Sequence, residues 1–201
     1  ELRNEIVRAA QVVFSTVNVC GNRAVFRQVL NDVVIIDEAT QLVQAETAIV
    51  LHQNLKCAVL VGDDKQLPST VISKTGKDLG YGQSLFDRLI QHGYPYSLLD
   101  TQYRMHPHIS RWPRIQFYNG DVVDGENVRS SVYEKPWHDE FPPLQLCHVR
   151  GGREQTSETG SKFNQHEVIV VRQMLLALRG HLRASGVLAS SHWSVGLVSP
   201  Y

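Results

Sequence analysis

The sequence predicts an α/β fold that is built on parallel β-strands. Residues 33–36 read Val-Val-Ile-Ile, and four β-branched residues in a row are typical of a strand that is buried on both faces. A second apolar run, Ala-Val-Leu-Val at 58–61, follows after a gap that fits one helix and a return to a parallel strand. Open α/β sheets bind ligands at the carboxyl ends of their strands, so the polar residues after each run are candidates for a functional site.

The first part of the chain is predicted to hold three strands and three helices. Residues 1–10 carry an amphipathic helical pattern that has no start signal at its head. The tripeptide Gly-Tyr-Pro at 93–95 is the best hinge, so we predict two domains, 1–94 and 95–201. The strands of the first part fall near 11–15, 33–37 and 57–62, and its two further helices near 42–52 and 83–92.

The second part is predicted to hold three more strands and two helices. The first helix, at about 107–118, contains Pro113, which should bend or start it. The second helix, at about 164–180, has an apolar stripe that we interpret as core packing. Residues 121–160 carry glycine, proline and charge and are predicted to form a long surface connection. The predicted strands of the second part fall near 96–100, 144–149 and 194–199. The apolar stripe of the second helix consists of Val168, Val171, Leu175 and Leu178.

Two adjacent carboxylates, Asp37 and Glu38, follow the first apolar run. Two acids at a strand end are costly unless a cation or a reaction uses them. In P-loop NTPases such an Asp holds Mg²⁺, and a neighbouring acid orients the attacking water. The alternative interpretation is an acidic helix N-cap, since Asp and Glu both suit a first helical turn.

A polar loop, Gly-Asp-Asp-Lys-Gln-Leu-Pro at 62–68, follows the second apolar run. Gly62 allows a sharp exit from the strand, and Pro68 stops the loop from continuing as a helix. Beside the acid pair, this loop can place Gln66 against a terminal phosphate. Ordinary turn chemistry is the alternative, because Gly, Asp and Lys are common in turns.

A third polar stretch, Gln-Tyr-Arg-Met-His-Pro at 102–107, follows the run at 96–99. Arg104 carries a planar, permanently charged group that suits phosphate oxygens, and Tyr103 can stack on a base. The alternative is a surface Arg beside a half-buried Tyr. His106 and His108 are two residues apart and do not share a helix face, so we predict structural roles for them rather than a metal site.

In this order and spacing, the three stretches resemble motifs II, III and IV of superfamily 1 helicases. The closest resemblance is to the up-frameshift and senataxin-like branch, and it covers nearly the whole chain, weakly only at about 121–160. Val-Phe-Ser-Thr at 13–16 resembles motif Ic, which touches the nucleic-acid backbone. Three further segments match the family: 83–89, 161–167 and 195–201.

This resemblance implies an α/β fold with two partial RecA-like (P-loop NTPase) parallel-sheet domains. It implies a helicase that couples ATP hydrolysis, with Mg²⁺, to 5′-to-3′ movement along single-stranded RNA or DNA, in company with other proteins of RNA processing or decay. ATP would bind in a cleft between the two domains. The implied residue roles are Asp37 on Mg²⁺, Glu38 on the attacking water, Gln66 as the γ-phosphate sensor, Arg104 as an arginine finger, Tyr103 on adenine, and Ser15, Thr16, Pro200 and Tyr201 on the nucleic acid.

The chain also departs from the family pattern. It contains no G-x-x-x-x-G-K-[ST] loop, and motifs V and VI are missing. We therefore expect a helicase fragment that is inactive by itself, whereas the intact parent hydrolyses ATP. Two alternatives remain open: an inactive interaction module on a helicase scaffold, and an ATPase that remodels protein complexes without unwinding.

Composition excludes few classes of protein. The 20 basic and 20 acidic residues balance, so the chain lacks the basic surface that marks many DNA-binding domains. Cys20, Cys57 and Cys147 are isolated, which argues against a zinc site and a disulfide scaffold and favours a reducing compartment. Apolar runs are too short for a transmembrane helix. We expect an intracellular protein, nuclear or cytoplasmic, with no membrane partner.

Overall fold

The computed structural model describes residues 2–22, 31–51, 55–130, 141–186 and 194–199, and the chain divides into two compact units, 1–98 and 99–201. The described elements of the first unit are the helices Leu2–Ala9 (α1), Val17–Cys20 (α2), Gln44–Val50 (α3), Lys74–Asp78 (α4) and Leu85–Gln91 (α5), the strands Val33–Ile36 (β1) and Cys57–Leu60 (β2), and a 3₁₀ turn at Ala39–Gln41. Those of the second unit are the strands Thr101–Gln102 (β3), Val123–Asp124 (β4), Gln155–Thr156 (β5) and Lys162–Phe163 (β6), the helices Pro107–Tyr118 (α6) and Gln165–Ala184 (α7), and a 3₁₀ turn at Asn127–Arg129.

A parallel strand pair organises the first unit. β1 and β2 pair in register from Val33 opposite Cys57 to Ile36 opposite Leu60. Two further backbone bonds extend the ladder: the Val61 N–H donates to the Ile36 carbonyl and the Ala39 N–H donates to the Val61 carbonyl, both at 2.8 Å. The predicted parallel return after one helix is therefore confirmed.

The prediction that β1 is buried on both faces is wrong for the described structure. Ile36 is 5% exposed, whereas Ile35 beside it is 68% exposed. Side chains alternate between the two faces of a strand, so one face of this two-stranded sheet is packed and the other is open to solvent. β-Branched residues fit a pleated strand whether or not both faces are covered, and burial depends on neighbours that the run itself does not encode.

Four predicted strands do not form in the described residues. Residues 11–15, 96–100, 144–149 and 194–199 have no strand structure, and Phe14 is 94% exposed. A strand exists only when a partner accepts its backbone hydrogen bonds, and no strand pairing is present at 11–15, 144–149 and 194–199 in the part of the chain that the structure describes. At 96–100 the Asp100 carbonyl alone is paired with the neighbouring strand, accepting from the Val123 N–H at 2.7 Å, and the strand itself begins at Thr101. The short helices α2 and α4 were not predicted.

Polar side chains cap the helices that flank β1 in the first unit. Glu46 accepts from the Val43 N–H at 3.0 Å and secures the start of α3. Ser84, fully buried, accepts from the Asp87 N–H at 2.9 Å and donates to the Asp87 carboxylate at 2.7 Å, which fixes the start of α5. α5 then packs against the 3₁₀ turn after β1.

The second unit contains a β3–α6–β4 crossover with parallel strands. Helix α6 has the predicted bounds, but it begins at Pro107 rather than at Pro113, which lies inside it. His106 caps the helix, because its Nδ1 accepts from the His108 N–H at 3.1 Å. His106 therefore has the structural role that its spacing from His108 suggests.

The segment 121–160 is not only a surface connection, since it holds β4 and β5, and β5 pairs antiparallel with β6. Helix α7 extends four residues beyond its predicted end, and Asn164 caps it by accepting from the His166 N–H at 3.1 Å. Its apolar stripe is not a core among the described residues, because Val168 is 53% exposed and Leu175 is also exposed. None of the described helices is long and apolar enough to span a membrane.

Ser84→Ala should lower the free energy of unfolding by about 1–2 kcal/mol, because it removes a fully buried cap and leaves the part-buried Asp87 N–H without its acceptor. Ser73→Ala is the matched control: Ser73 caps α4 by the same kind of bond to the Gly76 N–H, but on the surface. Its cost should be at most about 1 kcal/mol. Urea unfolding measures both, and an equal or larger loss for Ser73→Ala would contradict the burial argument.

Candidate functional site

The acid pair lies in the turn directly after β1. Both carboxylates are exposed, so the burial cost that pointed to them in the sequence does not apply. Asp37 Oδ1 accepts from the Glu38 N–H at 3.1 Å, and Glu38 Oε2 accepts from the Gln41 side-chain amide at 3.2 Å. Each carboxylate thus keeps free lone pairs that face water.

Glu38 adopts a left-handed backbone conformation, with φ 54° and ψ 41°. A residue with a Cβ pays about 1–2 kcal/mol to adopt this conformation. Glu38 stands at the N-cap position of the 3₁₀ turn, but its side chain makes no capping hydrogen bond. The helix N-cap interpretation therefore does not explain Glu38.

Gly62 brings the loop after β2 against the turn that carries the acids. A Cβ built on Gly62 would lie 3.1 Å from the Thr40 methyl carbon and 3.2 Å from the Thr40 backbone nitrogen. Gly62 does not use the left-handed conformation that glycine permits, since it is not among the positive-φ glycines. A hydrogen atom at this position instead permits two backbones to approach closely.

Gln66 is held by its own loop. Asp63 Oδ2 accepts from the Gln66 side-chain amide at 2.7 Å, and Asp63 Oδ1 accepts from the Lys65 N–H at 3.0 Å. Lys65 pairs with Asp64 at 2.6 Å, and this hydrogen bond raises the pKa of Lys65. Turn chemistry therefore orders the loop, while Gln66 stays exposed at the same edge of the sheet as the acid pair.

The predicted nucleic-acid contacts are only partly described. Ser15 and Thr16 are both exposed just before α2, and the Ser15 hydroxyl donates to the Thr16 carbonyl at 3.1 Å. Thr16 makes no side-chain cap to α2. Pro200 and Tyr201 lie outside the described residues.

In the second unit, the Gln102 side-chain amide closes the loop 102–105. Its Oε1 accepts from the backbone N–H groups of Arg104, at 3.0 Å, and Met105, at 2.8 Å. Its Nε2 donates to the Met105 carbonyl at 2.8 Å and to the Asp124 carboxylate at 2.6 Å. All hydrogen-bonding capacity of this amide is used within the unit, so Gln102 shapes the loop rather than presenting itself to a ligand.

Tyr103 and Arg104 point their functional groups to solvent from this closed loop. Tyr103 is 62% exposed, more than the half-buried alternative predicts. Arg104 is exposed, and its guanidinium makes no hydrogen bond or ion pair with any other described residue. The backbone is thus fixed while the aromatic ring and the positive charge stay accessible.

Asp124 is the most buried charged group near this loop, at 7% exposure. Oδ1 accepts from Ser110 and Gln102, each at 2.6 Å, and Oδ2 pairs with Arg114 at 2.6 Å. Burial alone raises the pKa of Asp124, but the hydrogen bonds from Ser110 and Gln102, with the charges of Arg114 and Arg129, outweigh it. The pKa of Asp124 is therefore lowered, and Asp124 stays ionised.

The acid-pair turn provides few protein ligands for a metal ion. No group of three or more His, Cys, Asp or Glu side chains that could hold a metal occurs among the described residues. Mg²⁺ is usually held by one or two carboxylates together with phosphates and waters. The exposed Asp37 carboxylate could supply one of these few protein ligands.

Comparison with known proteins decides the family. Two family models, both described as an AAA domain, match residues 1–74 and 81–201. Probable helicase MAGATAMA 3 of Arabidopsis thaliana is 38% identical over 208 residues, which cover 100% of this chain and 24% of that protein. Helicase sen1 of Schizosaccharomyces pombe is 42% identical over 167 residues, which cover 81% of this chain and 10% of that protein.

The chain belongs to the superfamily 1 helicases of the up-frameshift and senataxin-like branch. ATP-dependent helicase upf1 of Schizosaccharomyces pombe adds a third relative, 34% identical over 98% of this chain and 21% of that protein. The chain thus spans no more than about a quarter of the length of these helicases. The P-loop NTPase fold class of the family agrees with the small parallel sheets of the structure.

Asp124 and Gly125 are the residues of this helicase chain that sequence reasoning missed. Asp124 ends β4 and Gly125 follows it; both contact the 102–105 loop and lie in a segment predicted to be a surface connection. The one available signal was an apolar pair followed by Asp-Gly. That signal also marks ordinary turns, so it did not single out these residues.

The stability that ionised Asp124 provides should depend on pH. Because its pKa is lower in the folded than in the unfolded state, the contribution is complete above about pH 4–5 and is lost as pH falls through the folded pKa. The difference in unfolding free energy between the wild type and Asp124→Asn should therefore shrink from pH 6 towards about pH 3. Asp121→Asn, an exposed neighbour, is the control and should show almost no difference. A constant wild-type advantage across this range would contradict the ionised, hydrogen-bonded Asp124.

Proposed function

We propose that the chain forms part of a longer ATP-dependent helicase that couples hydrolysis to movement along single-stranded RNA or DNA. The observation that carries the proposal is the exposed acid pair Asp37–Glu38 at the end of β1, with the Gln66 loop packed against its turn through Gly62. The names of the relatives support it, since they include ATP-dependent helicases. We further propose that the two units are portions of two RecA-like domains.

Glu38 is proposed as the base that accepts a proton from the attacking water. Its carboxylate is exposed and, among the described residues, bonded only to the Gln41 amide, so it can accept another hydrogen bond. The left-handed backbone stores strain that no capping bond offsets, and such strain often persists where function fixes a side chain. Gln66, tethered to Asp63, is proposed to contact the γ-phosphate by exchanging that bond.

Asp37 is proposed to hold Mg²⁺ through a bound water. A magnesium ion in such sites neutralises charge on the phosphate oxygens. The Asp37 carboxylate accepts one bond from its neighbouring amide, which orients it and leaves acceptor capacity for the ion's water.

Arg104 and Tyr103 are proposed to act on the nucleotide from the 102–105 loop. Arg104 would stabilise negative charge on the transferring phosphoryl group as an arginine finger, and Tyr103 would stack on adenine. The guanidinium without a partner among the described residues and the ring that is 62% exposed support this role, because both groups are accessible to a ligand.

Ser15 and Thr16 are proposed to hold the nucleic-acid backbone, together with Pro200 and Tyr201. The exposed hydroxyls before α2 can donate hydrogen bonds to phosphate oxygens. Such contacts do not need a basic surface, which agrees with the balanced charge of the chain. One relative is named Regulator of nonsense transcripts 1 homolog. We therefore propose RNA processing or decay, with its protein partners, as the setting.

Glu38→Gln in the full-length protein should lower ATP turnover by about 10²–10⁴ while leaving ATP affinity nearly unchanged, because the amide keeps size but cannot accept the proton. Glu38→Asn should be equally inactive yet more stable by about 0.5–1 kcal/mol, since Asn tolerates the left-handed conformation better. Steady-state ATPase assays, nucleotide titration and urea unfolding give the three quantities.

Glu5→Gln is the matched control for Glu38→Gln, because it makes the same chemical change at another exposed position of the first unit. It should leave turnover at the wild-type level. Wild-type turnover by Glu38→Gln would remove Glu38 from the chemistry and with it the central residue of the proposal.

Arg104→Ala should lower turnover by about 10³ or more and change ATP affinity far less, because the charge matters most when the phosphoryl group is transferred. Arg104→Lys should recover little, since an ammonium group cannot reproduce the planar contact. Binding of a single-stranded oligonucleotide without nucleotide should be unchanged. The measurements are steady-state ATPase activity and fluorescence anisotropy of the labelled oligonucleotide.

Arg111→Ala, an exposed arginine on α6, is the control for Arg104→Ala. A loss of activity that is equal in the two variants would show a general electrostatic effect rather than a finger. A wild-type kcat for Arg104→Ala would exclude Arg104 from the site.

A further inference from the structure

We propose that Asp124 and Gly125, named here the strand-end seat, are positioning residues that hold Tyr103 and Arg104 ready for the nucleotide. This proposal rests on the proposed function of those two residues. It concerns a buried carboxylate and a glycine that are proposed to contact neither the nucleotide nor the nucleic acid. They act through the loop 102–105, which they hold from the end of β4.

Asp124 fixes the loop through Gln102. The carboxylate accepts from the Gln102 amide at 2.6 Å, and that amide in turn accepts from the N–H of Arg104. Asp124 is itself fixed from α6, by Ser110 and by Arg114, so the loop is connected to a twelve-residue helix. Arg114 also donates to the Val122 carbonyl, which locks the strand that carries Asp124.

Gly125 fixes the Tyr103 ring. A Cβ at Gly125 would overlap the Cδ1 and Cε1 atoms of that ring, so the ring lies directly against the glycine backbone. The Gly125 N–H donates to the Gln102 carbonyl at 2.8 Å, and the Asn127 amide donates to the Tyr103 carbonyl at 2.9 Å. Only glycine permits this contact, because every other residue would push the ring away.

The strand-end seat restrains the backbone of Tyr103 and Arg104 and one side of the Tyr103 ring, while both functional groups stay accessible to a ligand. Tyr103 remains 62% exposed, and the Arg104 guanidinium has no partner among the described side chains. Buried hydrogen bonds hold these two accessible groups in place. Such an arrangement preorganises a site for a ligand. Loss of the seat should therefore harm the two groups differently, according to which one each seat residue supports.

The test uses Gly125→Ala and Asp124→Asn in the full-length protein, with KM and kcat for ATP at saturating single-stranded oligonucleotide. Gly125→Ala should raise KM about tenfold and change kcat by less than about threefold, because it displaces the stacking ring. Asp124→Asn should lower kcat by about tenfold to a hundredfold and change KM by less than about threefold, because it loosens the support of Arg104. Gly180→Ala and Asp121→Asn, at an open helical glycine and an exposed carboxylate, are the matched controls and should match the wild type.

A double-mutant cycle separates positioning from a general loss of structure. If Gly125 acts through Tyr103, then Gly125→Ala should have no further effect on KM in a Tyr103→Ala background. Additive effects of the two changes, or an unchanged kcat in Asp124→Asn, would overturn the proposal. A wild-type protein that does not hydrolyse ATP would overturn the proposed function instead. In that case, the free energies of unfolding of the same variants test the contact between Gly125 and the Tyr103 ring. The proposal expects the effects of Gly125→Ala and Tyr103→Ala to be coupled, and additive effects would overturn it.

Discussion

Parallel pairing of short strands is the constraint on which both candidate sites depend. Because parallel neighbours end at the same edge of a sheet, β1 and β2 bring the acid-pair turn beside the Gln66 loop, and β3 and β4 bring the Tyr103–Arg104 loop beside Asp124. Each pair is then locked by one close contact that a larger side chain would block. Gly62 approaches Thr40 in the first unit, and Gly125 approaches the Tyr103 ring in the second.

The two units differ in how firmly their polar residues are held. In the second, a buried carboxylate, a serine, an arginine and an amide form a network in which every group is paired. In the first, the acids and Gln66 are exposed and bonded only to residues at most three positions away. A fully paired buried network is rigid, whereas exposed local bonds exchange easily with water or a ligand. This difference supports the proposed roles of Glu38 and Gln66, because a group that binds a phosphate or an attacking water has to change partners.

Sequence patterns predicted those helices and strands that are specified by a few neighbouring residues. The β-branched run predicted β1, and the helical pattern at about 107–118 predicted α6, although the structure starts that helix at Pro107 after His106 and not at Pro113. The apolar runs at 144–149 and 194–199 form no strand, and the strand predicted at 96–100 begins only at Thr101, because a strand needs a partner that its own sequence does not specify. Asp37, Glu38 and Arg104 were proposed as site residues because each lies within five residues of the end of such a run. Asp124 and Gly125 were not, because their contact with the 102–105 loop joins residues about twenty positions apart.

The central claim is the proposal that the acid pair and the Arg104 loop take part in ATP hydrolysis that single-stranded nucleic acid stimulates. The most direct measurement is the steady-state ATPase rate of the full-length wild-type protein, titrated with a single-stranded RNA oligonucleotide and, in parallel, with the same sequence as a blunt duplex. The account predicts a saturable rise of about tenfold or more with the single strand, and a much smaller rise with the duplex, because bases and backbone are accessible only in the single strand. A rate that is the same at every oligonucleotide concentration would contradict it.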